Sequence, residues 1–329
     1  VSDVPDSRRY LLITPCRDEA DYIRRTLASV ASQTTLPAKW VIVDDGSTDA
    51  TPQILTEAAA AYSFIQVIRF EPGRPRSVGP GVIQAFNEGL AAVNLDQYDY
   101  VCKLDADLEF GPRYFERLME VFEADPWLGT CSGKTYLNDK HGEREEHIGD
   151  ENSHGCAKFY RTECFREIGG FVPYLGWDGI DGHKCRLQGW KATSLYDPEL
   201  KILHLRRMGS SHLGFWHGRK RWGRYKHFIG SSWYYVLAAS VFRMREIPYV
   251  VSGLGIMVGY LQAVLSGAER YEDVACREEI RRFERDCLLR RKSRTLADYH
   301  TRIEQAHPER LAMHQRRRRP LERPALADA

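Results

Sequence analysis

The chain has 329 residues, 43% of them hydrophobic and 28% charged, enough for one large domain or two small ones around a sizeable core. That composition excludes a disordered, collagen-like or multi-pass membrane chain. Lys and Arg total 47 against 45 Asp and Glu, so no global positive charge argues for nucleic acid, and none is expected as a partner. Eight cysteines occur with no C-x-x-C spacing; several lie in apolar runs and read as reduced core thiols of a cytosolic protein, not as a zinc site. The stretch from Val1 to Arg9 has no apolar run of the signal-peptide kind, and the expected location is cytoplasmic.

In chain order, residues 10–14 read as a short buried strand and 18–32 as an amphipathic helix, with Ile23, Leu27 and Val30 at helical spacing. A strand at 40–43 precedes a helix at 49–62, where Thr51-Pro52 suits a helix start. A strand at 64–68, a helix at 82–93 and a strand at 98–104 follow. This alternation predicts an α/β protein with a mainly parallel, doubly wound sheet buried on both faces. Further on, the pattern gives a helix at 113–122, a strand near 128–131, a loop or hairpin over 138–156, a short helix at 162–168, a helix at 181–189 and a strand at 190–195. Residues 204–227 carry seven Arg or Lys and no Asp or Glu; 247–268 is the most apolar stretch; beyond 269 the chain is charged and helical, and 316–329 is expected to fray.

Ligands of such sheets sit at the carboxyl ends of the strands. Those ends are acidic here: Thr14-Pro15-Cys16-Arg17-Asp18-Glu19 after the first, Asp44-Asp45-Gly46-Ser47 after the second, Asp105-Ala106-Asp107 after the fourth. Clustered carboxylates repel unless a divalent cation and hydroxyl groups compensate them. Asp105 and Asp107, two residues apart in extended chain, share one side, which suits a ribose or metal-bound water on one and Mg²⁺ or Mn²⁺ on the other. Asp18 and Asp49 read instead as turn and cap residues. A second pair, Asp178 and Asp181, precedes a helix; one of them is a candidate general base, the competing reading being a helix cap.

Taken together, Thr14-Pro15-Cys16-Arg17-Asp18-Glu19, Trp40-Val41-Ile42-Val43-Asp44-Asp45-Gly46-Ser47-Thr48-Asp49, Ala85-Phe86-Asn87-Glu88-Gly89 and Asp105-Ala106-Asp107 resemble an inverting glycosyltransferase of family 2 with the GT-A fold, over roughly residues 9–206. Gly176-Trp177-Asp178-Gly179-Ile180-Asp181, Gly189-Trp190 and His204-Leu205-Arg206 resemble a bacterial subgroup linked to envelope or extracellular polysaccharide. The resemblance implies that Pro15, Glu19 and Asp44 line the base and ribose pocket, Asp105 contacts the ribose or a metal water, Asp107 binds Mn²⁺ or Mg²⁺, and His204 completes the metal or diphosphate shell. The family's Glu-Asp pair reads Trp177-Asp178 here, which leaves Asp178 and Asp181 both as base candidates, Asp178 favoured by counting back from Gly189-Trp190. Arg221-Trp222 is similar to the Q-x-x-R-W motif of processive synthases, but Gly218 replaces the Gln, and addition of a single sugar is expected.

The implied partners are a nucleotide-sugar donor and a glycan or lipid-linked sugar acceptor. The implied organisation is a catalytic domain over 1–206 (nucleotide-sugar half about 9–110, acceptor half about 111–206), a helical, basic and apolar extension over 207–315, and a flexible tail over 316–329. The apolar segment 247–268 reads as a core helix, an interfacial helix or a span of the bilayer. With the basic stretch it makes an anionic membrane surface a partner, at the cytoplasmic face of the inner membrane. Two other functions compete. A nucleotidyltransferase making a nucleotide-sugar is disfavoured because no glycine follows the first strand. A non-catalytic scaffold on the same fold has no use for clustered, mutually repelling carboxylates.

Overall fold

The computed structural model describes residues 8–73, 79–139, 142–146, 149–206, 214–245 and 249–312; the tail expected at 316–329 lies outside them. Strands β1 (Tyr10–Cys16), β2 (Lys39–Asp44), β3 (Ile65–Arg69) and β4 (Tyr100–Leu104) run parallel. They are apolar throughout because both faces are covered. Tyr10, Leu12, Trp40 and Ile42 pack on one side with Ile23, Leu27, Ile54 and Leu55, from α1 (Ile23–Ala31) and α2 (Thr51–Ala61). Leu11, Ile13, Val41 and Val43 pack on the other with Ile83 and Phe86 of α3 (Pro80–Ala91). Strand β5 (Leu108–Phe110) and helix α4 (Tyr114–Ala124) follow, and α4 returns to the first face through Phe115, Leu118 and Phe122.

Strands β6 (Leu128–Gly133), β9 (Ala157–Arg161) and β10 (Lys191–Leu195) extend the sheet to seven strands in the order β10-β6-β9-β4-β1-β2-β3. Only β9 runs antiparallel, wedged between β6 and β4, so the sheet is mainly parallel, as the sequence implies. No strand is expected at 157–161 from the sequence pattern, where Lys158 and Arg161 interrupt the apolar residues. Both are buried with partners: Lys158 donates to Asp181, and Arg161 to the carbonyls of Leu128 and Phe122. Buried charges of this kind are tolerated only when paired.

A second sheet, in the order β5-β11-β7-β8, adds β7 (Thr135–Asp139), β8 (Gly142–Glu145) and β11 (Ile202–His204). The hairpin β7–β8 realises part of the segment expected as loop or hairpin. The short strands β5 and β11 carry no pattern long enough to announce them. Helix α5 (Thr162–Glu167) covers the second face through Cys164 and Phe165. Helix α6 (Trp177–Leu187) begins four residues before the expected start, which places Asp178 in its first turn.

Helices α7 (Gly214–Phe228), α8 (Trp233–Arg243), α9 (Val251–Leu265), α10 (Val274–Leu289) and α11 (Lys292–Ala306) complete the described chain. Helices α7 and α10 pack against α6: Tyr225, Phe228 and Ile229 of α7 and Cys276 and Ile280 of α10 enclose Ile180. Trp127 donates its indole N–H to the His307 carbonyl just beyond α11. The apolar stretch is helix α9, 15 residues long and so about 22 Å, against a hydrocarbon core of about 30 Å. No helix among the described residues is long and apolar enough to cross a membrane. Its glycines serve packing: a side chain at Gly259 would strike the Lys220 carbonyl, and one at Gly253 the Ser240 carbonyl. Its other face is open, with Leu254, Leu261, Val264 and Leu265 exposed beside Trp233, Leu237, Val241 and Phe242 of α8. All eight cysteines are unpaired thiols, seven of them buried.

Candidate active site

Asp105 and Asp107 follow β4 directly, where the chain turns from the large sheet into the small one. The pairing of β5 with β11 sets His204 opposite Leu108, and the Leu205 amide donates to the Asp107 carbonyl at 2.9 Å. Residues nearly a hundred positions apart are thereby fixed side by side. His204 Nε2 lies 3.6 Å from Asp107 Oδ2, and His204 Nδ1 meets Glu146 Oε2 at 2.7 Å. Arg206 donates to Asp107 Oδ2 at 2.6 Å and to Glu19, tying the end of β11 to the loop after β1.

The charge states follow from these contacts. Burial alone would raise the Asp107 carboxyl, but hydrogen bonding and charge from His204 and Arg206 hold it below the ordinary value. Burial opposes the His204 cation, yet hydrogen bonds with Asp107 and Glu146 carry it up to about 10. Glu19, nearly buried, is pushed up to about 7 by desolvation, with Arg206 opposing and Asp107 adding. Desolvation also raises Asp105, against the pull of the Lys103 ammonium that donates to it.

The ends of β1 and β2 form the adjoining wall. Pro15 and Cys16 pair with Val43 and Asp44. Asp44 is fully buried, accepts from the Ser47 amide at 2.9 Å and faces Arg69 at 3.5 Å. Asp18 accepts from the Thr48 amide, and Asp49 from the amides of Ala20 and Thr51. These two acids tie loop and turn amides, as a turn reading implies, but neither is a helix N-cap: that position is Tyr22 in α1 and Ala50 in α2. Glu19 Oε2 has no hydrogen-bond partner among the described residues, so this wall keeps an acceptor atom there for a polar ligand, whereas Asp44 Oδ2 is compensated by the Arg69 guanidinium.

On the other side, Asp178 and Asp181 share the start of α6 but not its surroundings. Asp181 is 1% exposed. Its Oδ2 accepts from Lys158 and the Tyr160 hydroxyl, and its Oδ1 from Asn152 Nδ2 and the Gly182 amide. A carboxylate offers about four lone-pair sites, and all are taken. Asp178 is exposed, and the one group that hydrogen-bonds its carboxylate among the described residues is its own backbone amide. Crowding by protein raises it above the ordinary carboxylate value, with Lys158 opposing most strongly and Asp181 adding; contact with solvent tempers that shift. Gly176 makes the approach: its φ of +76° is a left-handed turn, and an added Cβ would come within 2.5 Å of the Tyr225 ring.

The two sides meet through one lysine. Lys103, buried on β4, donates to Asp105 and, at 2.9 Å, to the Gly155 carbonyl. Gly155 abuts Asp178, since a Cβ built on it would lie 2.7 Å from Asp178 Oδ2. Sequence reasoning named Pro15, Glu19, Asp44, Asp105, Asp107, Asp178, Asp181 and His204, but not Lys103, Glu146, Asn152, Lys158 or Arg206. Two signals were there to be read: Lys103 and Arg206 each lie two residues from a named residue in extended chain, hence on its side. Glu146, Asn152 and Lys158 carried no such mark.

The donor set suits a divalent cation. Without an ion, His204 is a cation between Glu146 and Asp107; a Mn²⁺ or Mg²⁺ ion would replace the proton on the ring nitrogen that faces Asp107, leaving one imidazole nitrogen and the Asp107 carboxylate as its protein ligands. No group of three or more His, Cys, Asp and Glu side chains converges on one point among the described residues. Such an ion would complete its shell from water and phosphate oxygens, the usual habit of Mg²⁺.

Comparison with known proteins agrees with this geometry. Residues 11–176 match Glycosyl transferase family 2, and the chain belongs to that family. It is 30% identical over 230 residues to the O-antigen biosynthesis protein RfbC of Myxococcus xanthus, covering 62% of this chain and 16% of that protein. It is also 30% identical over 125 residues to the poly-β-1,6-N-acetyl-D-glucosamine synthase of Staphylococcus epidermidis, covering 38% and 28%. The chain thus spans less than a third of either relative. Among solved structures, S. aureus TarS 1–349 superposes with a TM-score of 0.51 at 15% identity, covering 92% of this chain and 91% of that one. GalNAc-T7 with UDP, GalNAc and Mn²⁺ superposes with a TM-score of 0.54 at 16% identity, covering 83% and 57%. The fold is that of the GT-A glycosyltransferases.

Proposed function

We propose that the protein moves one sugar from a nucleotide-sugar donor to a hydroxyl of a glycan or lipid-linked acceptor, with inversion, assisted by Mn²⁺ or Mg²⁺ and with Asp178 as general base. The observation that carries this reading is the chain of contacts from Asp105 through Lys103 and Gly155 to Asp178, which brings the acids after β4 and the exposed carboxylate of α6 into one neighbourhood. Pro15, Glu19 and Asp44 line the base and ribose pocket. Asp105 holds the ribose or a metal water. Asp107 and His204 hold the ion, which when bound neutralises charge on the diphosphate.

The residues then do the following. An acceptor hydroxyl is a poor nucleophile at neutral pH. Asp178 takes its proton as the oxygen attacks the anomeric carbon, an effect of about 10²–10⁴-fold. The nucleoside diphosphate leaves from the opposite face, and the single displacement inverts the centre. Asp181 cannot share this task, because its oxygens are saturated by Lys158, Tyr160, Asn152 and Gly182. Support for a nucleotide-sugar donor comes from relatives of the same fold solved with UDP-GlcNAc and with UDP, GalNAc and Mn²⁺. Single addition is preferred over polymerisation because Trp222 is spent on packing, against α9 and under Arg243 at 4.6 Å.

The membrane belongs to the same proposal. The apolar face of α8 and α9 adjoins α7, which carries Arg219, Lys220, Arg221 and Arg224. The basic stretch is smaller than its sequence implies, since Arg206 is engaged with Asp107 and Glu19, and Lys226 with Glu284. An apolar face rimmed by the remaining cations suits peripheral contact with anionic lipid at the cytoplasmic face of the inner membrane. A panel of nucleotide-sugars, read by slow release of the nucleoside diphosphate with and without Mn²⁺, tests the enzymatic reading; absence of release from every donor overturns it.

A further inference from the structure

The two lysines opposite each other on β4 and β9, Lys103 and Lys158, are the unusual feature of this site. Like charges in cross-strand register repel, and both are buried. They lie 5.0 and 6.0 Å from the centroid of the Trp177 ring, and Trp177 precedes Asp178. Lys103 is accounted for by Asp105 and Gly155. Lys158, 0% exposed, has Asp181 as its counter-ion, and Asp181 in turn takes Tyr160 and Asn152. Asn152 Nδ2 also donates to the Asp178 carbonyl. Lys158 and Tyr160 from β9 therefore hold Asp181, and Asn152 from the loop before β9 ties that carboxylate to the first turn of α6 at the Asp178 carbonyl.

We propose that Lys158 is a positioning residue for the base: clamped by Asp181 and set beside the Trp177 ring, its buried ammonium fixes the start of α6, and with it the Asp178 carboxylate, and places a positive charge under that helix end. The charged and titratable groups facing Asp178 are Lys158 from β9, Lys103 from β4, Asp181 from α6 itself and Tyr225 from α7. Burial pushes the Tyr225 phenol well up, so it stays neutral. The two lysines favour the carboxylate form and Asp181 disfavours it, Lys158 having the largest influence of the three. The role in catalysis rests on Asp178 being the base; the electrostatic coupling does not.

The test is a ¹³C NMR titration of the full chain labelled at aspartate carboxyls, with metal chelated and Asp178 assigned by the signal lost in Asp178→Asn. Lys158→Met is expected to raise the Asp178 midpoint by about one pH unit or more, the usual scale for losing a nearby opposite charge. Asp181→Asn is expected to lower it, and Lys158→Arg to leave it near the parent. The double variant Lys158→Met/Asp181→Asn leaves no buried charge unpaired, so it reads the coupling even where a single variant does not fold. Its midpoint is expected to rise, by less than in Lys158→Met. A midpoint that stays put or falls in the double variant overturns the proposal. The pH profile of transfer is expected to shift with the midpoint. Full transfer by Asp178→Asn would instead remove the base reading while leaving the NMR coupling standing.

Discussion

Asp178 and Asp181 lie three residues apart, yet their asparagine variants are expected to fail in opposite ways. Asp181→Asn strips the counter-charge from Lys158, which is 0% exposed and hydrogen-bonded to that carboxylate. Breaking a buried pair by removing one partner costs about 3–5 kcal/mol. With an unfolding entropy of about 2.1 cal/mol/K per residue, a chain of 329 residues loses about 4–7 °C in Tm. Asp178→Asn touches an exposed side chain that no other described side chain hydrogen-bonds, so its stability is expected to stay within about 0.5 kcal/mol of the parent. Its transfer rate is expected to fall by at least about a hundredfold, with donor binding intact. Differential scanning fluorimetry and nucleoside diphosphate release on the same two preparations separate the outcomes. An Asp178→Asn enzyme of parental activity, or an Asp181→Asn enzyme of parental Tm, refutes the assignment of roles.

Four further outcomes are expected. Asp107→Asn keeps the fold but loses the Mn²⁺-dependent part of UDP or GDP affinity, measured by calorimetry with and without the ion; an unchanged increment removes Asp107 from the ion site. Gly176→Ala combines a left-handed backbone with a Cβ 2.5 Å from the Tyr225 ring and is expected to cost about 2–4 kcal/mol, whereas Gly267→Ala, at φ +63° with open space around it, costs about 1 kcal/mol; equal losses in urea unfolding would contradict the contact argument. His154 is fully buried, and burial with help from Lys134 and Lys158 lowers it to about 3. The unfolded chain therefore binds a proton that the folded chain refuses, and stability held above pH about 6.5 is lost as pH falls, by about 2–3 kcal/mol at pH 4.5; His154→Gln flattens that slope, and a parental slope in the variant sinks the account. Flotation with anionic liposomes is expected to be weakened but not abolished by salt, and Leu261→Asp/Leu265→Asp, at positions 48% and 85% exposed, removes the salt-resistant part; equal flotation by both proteins rejects the apolar face as the contact.

The sequence by itself determined the parallel half of the sheet and the acids at its edge. Apolar runs such as Leu11-Leu12-Ile13 and Val41-Ile42-Val43 can be buried only between two helical layers, and the residues following a strand in such a sheet border its ligand. Asp44, Asp105 and Asp107 were legible for that reason, and Asp178 only through its resemblance to the family's Glu-Asp pair, counted back from Gly189-Trp190. Local pattern had nothing to say about β9, because a strand containing Lys158 and Arg161 looks polar until their partners are known. It also left Asp178 and Asp181 equivalent. Only the tertiary structure separated them, by bringing Lys158, Tyr160 and Asn152 under one carboxylate and leaving the other exposed. The same holds for His204 beside Asp107, where strands three residues long pair across most of the domain. Charge satisfaction in a protein interior is a property of which groups meet, and groups far apart in the chain meet only once the chain has folded.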